Sequence, residues 1–315
     1  MRNRWRNKRR FLFILGCGLA TLETAANPYA TKLGTRESAA QRINFSQSFN
    51  GLAWVIGPLI GLYIYGNQGA APGEKLTSMI LPFASIGLVV LIVALIFMRI
   101  PLPEISEEES GHGHGILETS VVEKPSFHKP LIKQSHFVTG VIAQFCYVAA
   151  QTGIFSYLIN FVTDKNQNPR FDVENGPYFL SIGFALFMIG RMSGSYIMSR
   201  VKPAKILAIN AGLSILLLPV VSMNLGWVSL IALYTVFLLM SIMFPTIFAL
   251  GIKDLGPQTK KGASIIVMAV VGGAVFPPLM GHISDLYSMS IGFLAPIPLF
   301  MFILYYAVKG HHVRA

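Results

Sequence analysis

Nine stretches of about 20 predominantly apolar residues run along this chain, near 11–30, 43–66, 77–99, 137–162, 177–200, 204–223, 227–250, 262–283 and 289–308. At 1.5 Å per residue, each is long enough to cross the roughly 30 Å hydrocarbon core of a bilayer. Inside lipid nothing but the protein satisfies backbone N–H and C=O groups, so only helices and closed barrels span it. Barrel strands alternate polar and apolar residues over segments of about ten, whereas these runs are continuous and far longer. The expectation is an all-α integral membrane protein with nine transmembrane helices.

Composition agrees. The chain is 53% hydrophobic and 12% charged, against roughly 25% charged residues in a soluble domain. Its net charge of +11 comes from 25 Lys+Arg against 14 Asp+Glu. In a soluble protein that balance suggests nucleic acid; here the basic residues fill short gaps between apolar runs, as the positive-inside rule requires. The lipid bilayer, and no nucleic acid, is the expected partner. Cys17 and Cys146 both sit in apolar runs without C-x-x-C or metal spacing, and His112 and His114 lack a third donor at fixed spacing. No metal and no cofactor are expected. An integral-membrane enzyme is the alternative from another class. It would need carboxylate or His clusters near the membrane surface, and the acids Glu107, Glu108 and Glu109 lie in a low-complexity loop instead.

The chain divides into a basic tail (1–10), three spans (11–100), a central polar loop (101–135), six spans (136–309) and a short tail (310–315). Low-complexity polar sequence like the loop cannot bury a core. If the carboxyl terminus is cytoplasmic, 15 Lys and Arg of the gaps fall inside and only Lys75, Lys165 and Arg170 fall outside. The loop then also lies inside. The tail dissents: nine spans place its six basic residues outside, although such charge resists translocation. No small-residue cleavage site or uninterrupted apolar stretch supports a signal peptide. Three further spans upstream would remove the conflict and make twelve.

Several polar residues interrupt the apolar runs. Glu23 is the one acid near the centre of a span, where a charge costs at least about 2.5–3.5 kcal/mol and usually has a task. Removal from water disfavours the charged form of a carboxyl, which suits a group that takes up and releases protons. A protonated, merely structural acid is the other reading. Asn27 lies four residues on, on the same face, and Pro28 frees a carbonyl one turn back. Gln47, Asn50 and Trp54 share a second face at i, i+3 and i+7. Amides bond sugar hydroxyls and an indole stacks on a pyranose; the same amides equally serve as bonds between helices. Gln144, Tyr147 and Gln151 repeat the pattern in the other half of the chain, so the two faces are expected to converge on one cavity. Gly190-Arg191 with Gly194 gives small-xxx-small spacing for close helix approach. Gly272-Gly273 before Pro277-Pro278 predicts a helix that packs tightly and bends. Pro245 breaks a helix mid-membrane, which is tolerated beside protein or a water-filled cavity.

The stretch Leu22-Glu23-Thr24-Ala25-Ala26-Asn27-Pro28-Tyr29, followed by Gln47-Ser48-Phe49-Asn50, resembles the fourth and fifth helices of the fucose/galactose/glucose–proton symporters of the major facilitator superfamily. Ala143-Gln144-Phe145-Cys146-Tyr147-Val148 with Ala150-Gln151-Thr152, and Phe244-Pro245-Thr246-Ile247-Phe248 running to Gly251-Ile252-Lys253-Asp254, resemble the L-fucose permease branch. The resemblance covers nearly the whole chain except the loop and the basic tail. It implies twelve helices in two six-helix bundles, a sugar cavity between them and alternating access, with this chain matching helices four to twelve and the first three absent. It further implies a monomer in the cytoplasmic (inner) membrane that carries a small sugar together with a proton. L-fucose leads, and glucose, galactose or another hexose is the alternative. Glu23 matches the family's acid for sugar recognition and protonation, and Gln47 and Asn50 match its sugar-contact amides. Asn27, Gln144, Tyr147 and Gln151 join them as sugar-binding candidates. A chain without the first three helices would not enclose the cavity, so a non-functional fragment is a further reading.

Overall fold

The computed structural model of the chain describes residues 2–32, 35, 38–66, 72–99, 130–164 and 176–312. Glu107 to Glu109, His112, His114, Lys165, Arg170 and most of the central loop lie outside the described residues. Among those described, every regular element is a helix. The helices are α1 (Arg2–Lys32), α2 (Ala39–Gly66), α3 (Pro72–Arg99), α4 (Ser135–Thr163) and α5 (Gly176–Ile197), then α6 (Pro203–Ser222), α7 (Trp227–Gly251), α8 (Gly256–Leu286) and α9 (Met289–Gly310). Each apolar run of the sequence falls on one of them. Helices α4 to α9 are long and apolar enough to cross a membrane, and Phe83–Arg99 of α3 is a shorter apolar helix. Helix α1 begins at Arg2, ahead of the apolar run, so the basic stretch continues the first helix.

The connections follow from local chemistry. Asn224 and Gly226 take positive φ (51° and 64°) in the turn from α6 to α7, as do Asp254 and Gly256 (58° and 55°) between α7 and α8. Glycine and short polar residues tolerate that left-handed backbone. Ser288 starts α9, its Oγ accepting a bond from the Ile291 N–H at 3.3 Å, which satisfies an otherwise unpaired amide of the first turn.

Two helices are interrupted where the sequence predicts it. Helix α7 breaks at Ser241–Ile242. Pro245 has no N–H to offer the Ser241 carbonyl, and its ring crowds that carbonyl. Helix α8 passes through a 3-10 turn at Ala269–Val271 just before Gly272. A Cβ on Gly272 would stand 2.5 Å from the Phe145 carbonyl oxygen, and one on Gly273 2.7 Å from Thr152 Oγ1. The glycines therefore bring α8 against the backbone of α4, and Tyr157 Oη donates to the Pro277 carbonyl at 3.1 Å.

The main apolar core is built from α4 to α9, with Tyr147, Leu158, Phe161, Phe187, Phe237, Phe293 and Phe300 among its fully enclosed side chains. A second cluster gathers Ala40 and Ile43 of α2 with Phe137, Met198, Ile242, Phe248, Leu255 and Ile266. It docks the Ala39 end of α2 against the six-helix unit. Helix α1 packs on α2 and α8, whereas α3 touches α2 lightly and leaves Phe83–Arg99 exposed.

Candidate functional site

Helices α2 and α5 run antiparallel in contact, and their register can be followed residue by residue. Ser195 Oγ donates to the Gln41 carbonyl at 2.9 Å, and Asn44 Nδ2 reaches Met198 Sδ at 3.5 Å. One turn on, Arg191 meets Gln47; after it, Gly51 faces Met188, whose side chain lies 3.1 Å from where a Cβ would be. Trp54 then meets Phe184 and Phe187 with ring centroids 5.3 and 5.9 Å away. Small or polar residues at each turn permit this close approach, and the aromatic cluster ends it.

Glu23, on α1, is half-buried and makes no hydrogen bond among the described residues. Asn27, one turn further, is buried at 4% exposure, and its Oδ1 accepts from Gln47 Nε2 at 2.7 Å. Asn27 Nδ2 is buried and has no partner. The expected α1 and α2 residues thus meet directly, with a donor left over beside them. Asn50 is exposed and forms no hydrogen bond among the described residues.

On α4, Gln144 is completely enclosed and both ends of its amide are unpartnered. Gln151 is buried at 7% exposure. Tyr147 is fully buried, and its hydroxyl donates to the Met240 carbonyl at 3.0 Å, at the edge of the α7 break. The next residue of this stripe, Phe155, touches Trp54 with centroids 5.6 Å apart and lies 4.4 Å from the ring of Phe237. The two helices thus meet here through the rings of Trp54 and Phe155, while the amides of Gln144 and Gln151 form no bond to Asn27 or Gln47.

Arg191 escaped the sequence reading, which treated it with its flanking glycines as a packing feature. It is buried at 5% exposure on α5. Its Nε donates to the Ser241 carbonyl at 2.8 Å, and its Nη1 donates to the Gln47 carbonyl at 2.9 Å and lies 3.5 Å from Gln47 Oε1. The guanidinium sits over the Phe187 ring, 4.7 Å from its centroid, a favourable cation–π position. It forms no ion pair among the described residues. The glycines are what bring it there: a Cβ on Gly190 would stand 2.7 Å from both the Leu238 carbonyl oxygen and Ser241 Oγ. A signal was available, since Arg191 is the one basic residue of the chain that lies well inside an apolar run and not in the tail, a gap or the end of a run, and intramembrane charges are expected to be functional.

The α7 break is capped from three sides. Asn210 of α6 donates to the Leu239 carbonyl at 2.8 Å, Tyr147 to Met240 and Arg191 to Ser241. Three consecutive carbonyls are satisfied by side chains of three different helices. This fixes the break as a defined structure instead of a loose kink, because an unpaired carbonyl in an apolar interior is costly.

The chain is thus a bundle of long apolar helices in which an acid, amides and aromatic rings lie where α1, α2, α4 and α5 meet. The chain belongs to the major facilitator superfamily, whose family model matches residues 11–270, and it is a multi-pass membrane protein. It is 36% identical over 292 residues to the L-fucose-proton symporter of Escherichia coli, covering 87% of this chain and 65% of that protein. It is 31% identical over 301 residues to the glucose/galactose transporter of Brucella abortus, covering 95% of this chain and 70% of the relative. The crystal structure of an asparagine-to-alanine variant of the E. coli fucose:proton symporter superposes with a TM-score of 0.77 at 33% identity, over 94% of this chain and 75% of that one. The chain thus spans about two thirds of the length of these relatives.

Proposed function

We propose that this chain carries out sugar–proton symport across the cytoplasmic (inner) membrane by alternating access, with L-fucose as the leading sugar. In this reading Glu23 takes the proton and bonds a sugar hydroxyl. Asn27, Gln47 and Asn50 supply further hydrogen bonds, and Trp54 provides an apolar face. Gln144 and Gln151 complete the sugar's surroundings from α4, and Tyr147 contributes through its ring. The observation that carries the reading is the Asn27–Gln47 bond one turn from Glu23, which leaves the buried Asn27 Nδ2 without a partner. Buried donors are almost always satisfied, so one left over beside an intramembrane acid supports a polar ligand there. The name of the E. coli relative supports fucose and proton; that of the Brucella relative favours glucose and galactose as the alternative sugars. No catalytic role is assigned to any residue.

The test is uptake of labelled L-fucose, D-galactose and D-glucose into proteoliposomes under an imposed inward proton gradient. One of the three should accumulate above its external concentration and leak back when a protonophore collapses the gradient. Uptake that only equilibrates, with or without the gradient, would refute proton coupling. Absence of uptake of all three hexoses would refute the sugar.

A further inference from the structure

A guanidinium has five N–H donors and no acceptor. That one-sidedness propagates through the site. Because Arg191 Nη1 lies against the Gln47 carbonyl oxygen and faces Oε1, the Gln47 amide must turn its oxygen toward Arg191. Its NH2 group then points the other way, where it donates to Asn27 Oδ1 at 2.7 Å. With that oxygen turned to Gln47, Asn27 directs its NH2 group the other way, and this is the buried Nδ2 that has no partner. An amide pair without the arginine could flip together and present an oxygen instead, since the two ends of an amide are nearly the same shape.

We propose that Arg191 is a positioning residue of the sugar site: it sets the polarity of the Gln47–Asn27 amide chain so that Asn27 presents an N–H donor to a hydroxyl oxygen of the sugar. This rests on the sugar reading of the site given above. Arg191 suits the task because it is held from behind. Its Nε is anchored on the Ser241 carbonyl at 2.8 Å and its plane lies over Phe187, so its position does not depend on Gln47. The α7 break is part of the same device. Pro245 leaves the Ser241 carbonyl without its helical N–H, and the guanidinium takes that place.

A bridge that merely ties α2, α5 and α7 together would make a different set of variants fail. The experiment measures hexose binding to the purified intact transporter, using L-fucose, D-galactose and D-glucose, for Asn27→Ala, Asn27→Leu, Arg191→Met, Arg191→Lys and the double variant Arg191→Met/Asn27→Ala. Folding of each is checked by monodispersity and thermal unfolding. Loss of one buried donor predicts weakening of about tenfold for Asn27→Ala. Asn27→Leu, close in shape and without the donor, should lose as much. Arg191→Met should also weaken binding about tenfold, and the double variant should bind no worse than Asn27→Ala alone, because Arg191 acts through Asn27. Arg191→Lys, which keeps a donor toward Gln47, should recover part of the affinity. Additive losses in the double variant overturn the proposal, as does wild-type affinity in Asn27→Leu, a variant that leaves the α2–α5 bridge untouched should Arg191→Met fail to fold. Wild-type protein that binds none of the three hexoses overturns the sugar reading and this inference with it, whereas wild-type binding with additive losses overturns this inference alone.

Discussion

Replacing Tyr147 with phenylalanine separates two roles for a residue that the sequence makes a sugar-binding candidate. The hydroxyl donates to the Met240 carbonyl at 3.0 Å, and the residue is fully buried. Phenylalanine keeps the ring, including its edge contact with Phe244 at 6.2 Å between centroids, and removes only the bond. Hydrogen bonds between membrane helices average about 0.6 kcal/mol and reach about 1.7. Met240 lies beside a helix break, where the carbonyl loses a side-chain cap, so the upper part of that range applies: about 1–1.5 kcal/mol. Reversible unfolding in mixed detergent should register that loss, while the apparent KM for sugar uptake stays within about twofold of wild type, a change too small to correspond to a lost bond to the substrate. A tenfold rise in KM with unaltered stability would refute the reasoning, since the hydroxyl would then serve the sugar and not the backbone.

Glu23→Gln mimics the protonated acid and should retain sugar counterflow while losing uphill accumulation under a proton gradient; wild-type accumulation with an unchanged pH profile would leave Glu23 structural. Gly190→Val places side-chain atoms where even a Cβ would lie 2.7 Å from Leu238 O and Ser241 Oγ; overpacking of about 1–3 kcal/mol should appear as a lower unfolding temperature, and a wild-type value would show that α5 and α7 are free to separate. Cysteine probes at Ser110 and His312 should resist a membrane-impermeant reagent added outside, and a probe at Asn168 should react; the reverse labelling would invert the orientation drawn from the Lys and Arg count.

The helical architecture was legible because lipid leaves so few alternatives. Once a run such as 204–223 is too long and too apolar for water, backbone hydrogen bonding dictates a helix, and α6 spans Pro203–Ser222 accordingly. The interruptions were legible too, since Pro245 and the Gly272-Gly273 pair act through the backbone itself. The first helix extends beyond its apolar run. Charge counting marks where apolar sequence begins, but a helix has no reason to stop at that boundary, and α1 continues back through the basic residues to Arg2.

The site was legible in part, and the division follows the reach of the forces involved. Helical spacing puts Glu23 with Asn27 and Gln47 with Trp54 on shared faces, so the members of each stripe could be read one helix at a time. Which stripe meets which depends on rotation and register of packed helices, and no local pattern encodes that. Asn27 and Gln47 prove to bond to each other, and Tyr147 turns its hydroxyl to a carbonyl on a helix nearly one hundred residues away in sequence. Arg191 was the harder case for a physical reason. A charge tally sorts basic residues by side of the membrane and has no column for one that lies on neither side. Its flanking glycines drew attention as packing residues, which they are, yet their closeness to α7 is also what delivers the guanidinium to Ser241. A buried cation in lipid must be compensated by something, and here the compensation is two backbone carbonyls and an aromatic face, none of which leaves a mark in the identity of the contacting residues. The break in α7 therefore serves the site as much as the fold: by freeing the Ser241 carbonyl it creates the acceptor that holds Arg191 against the amides.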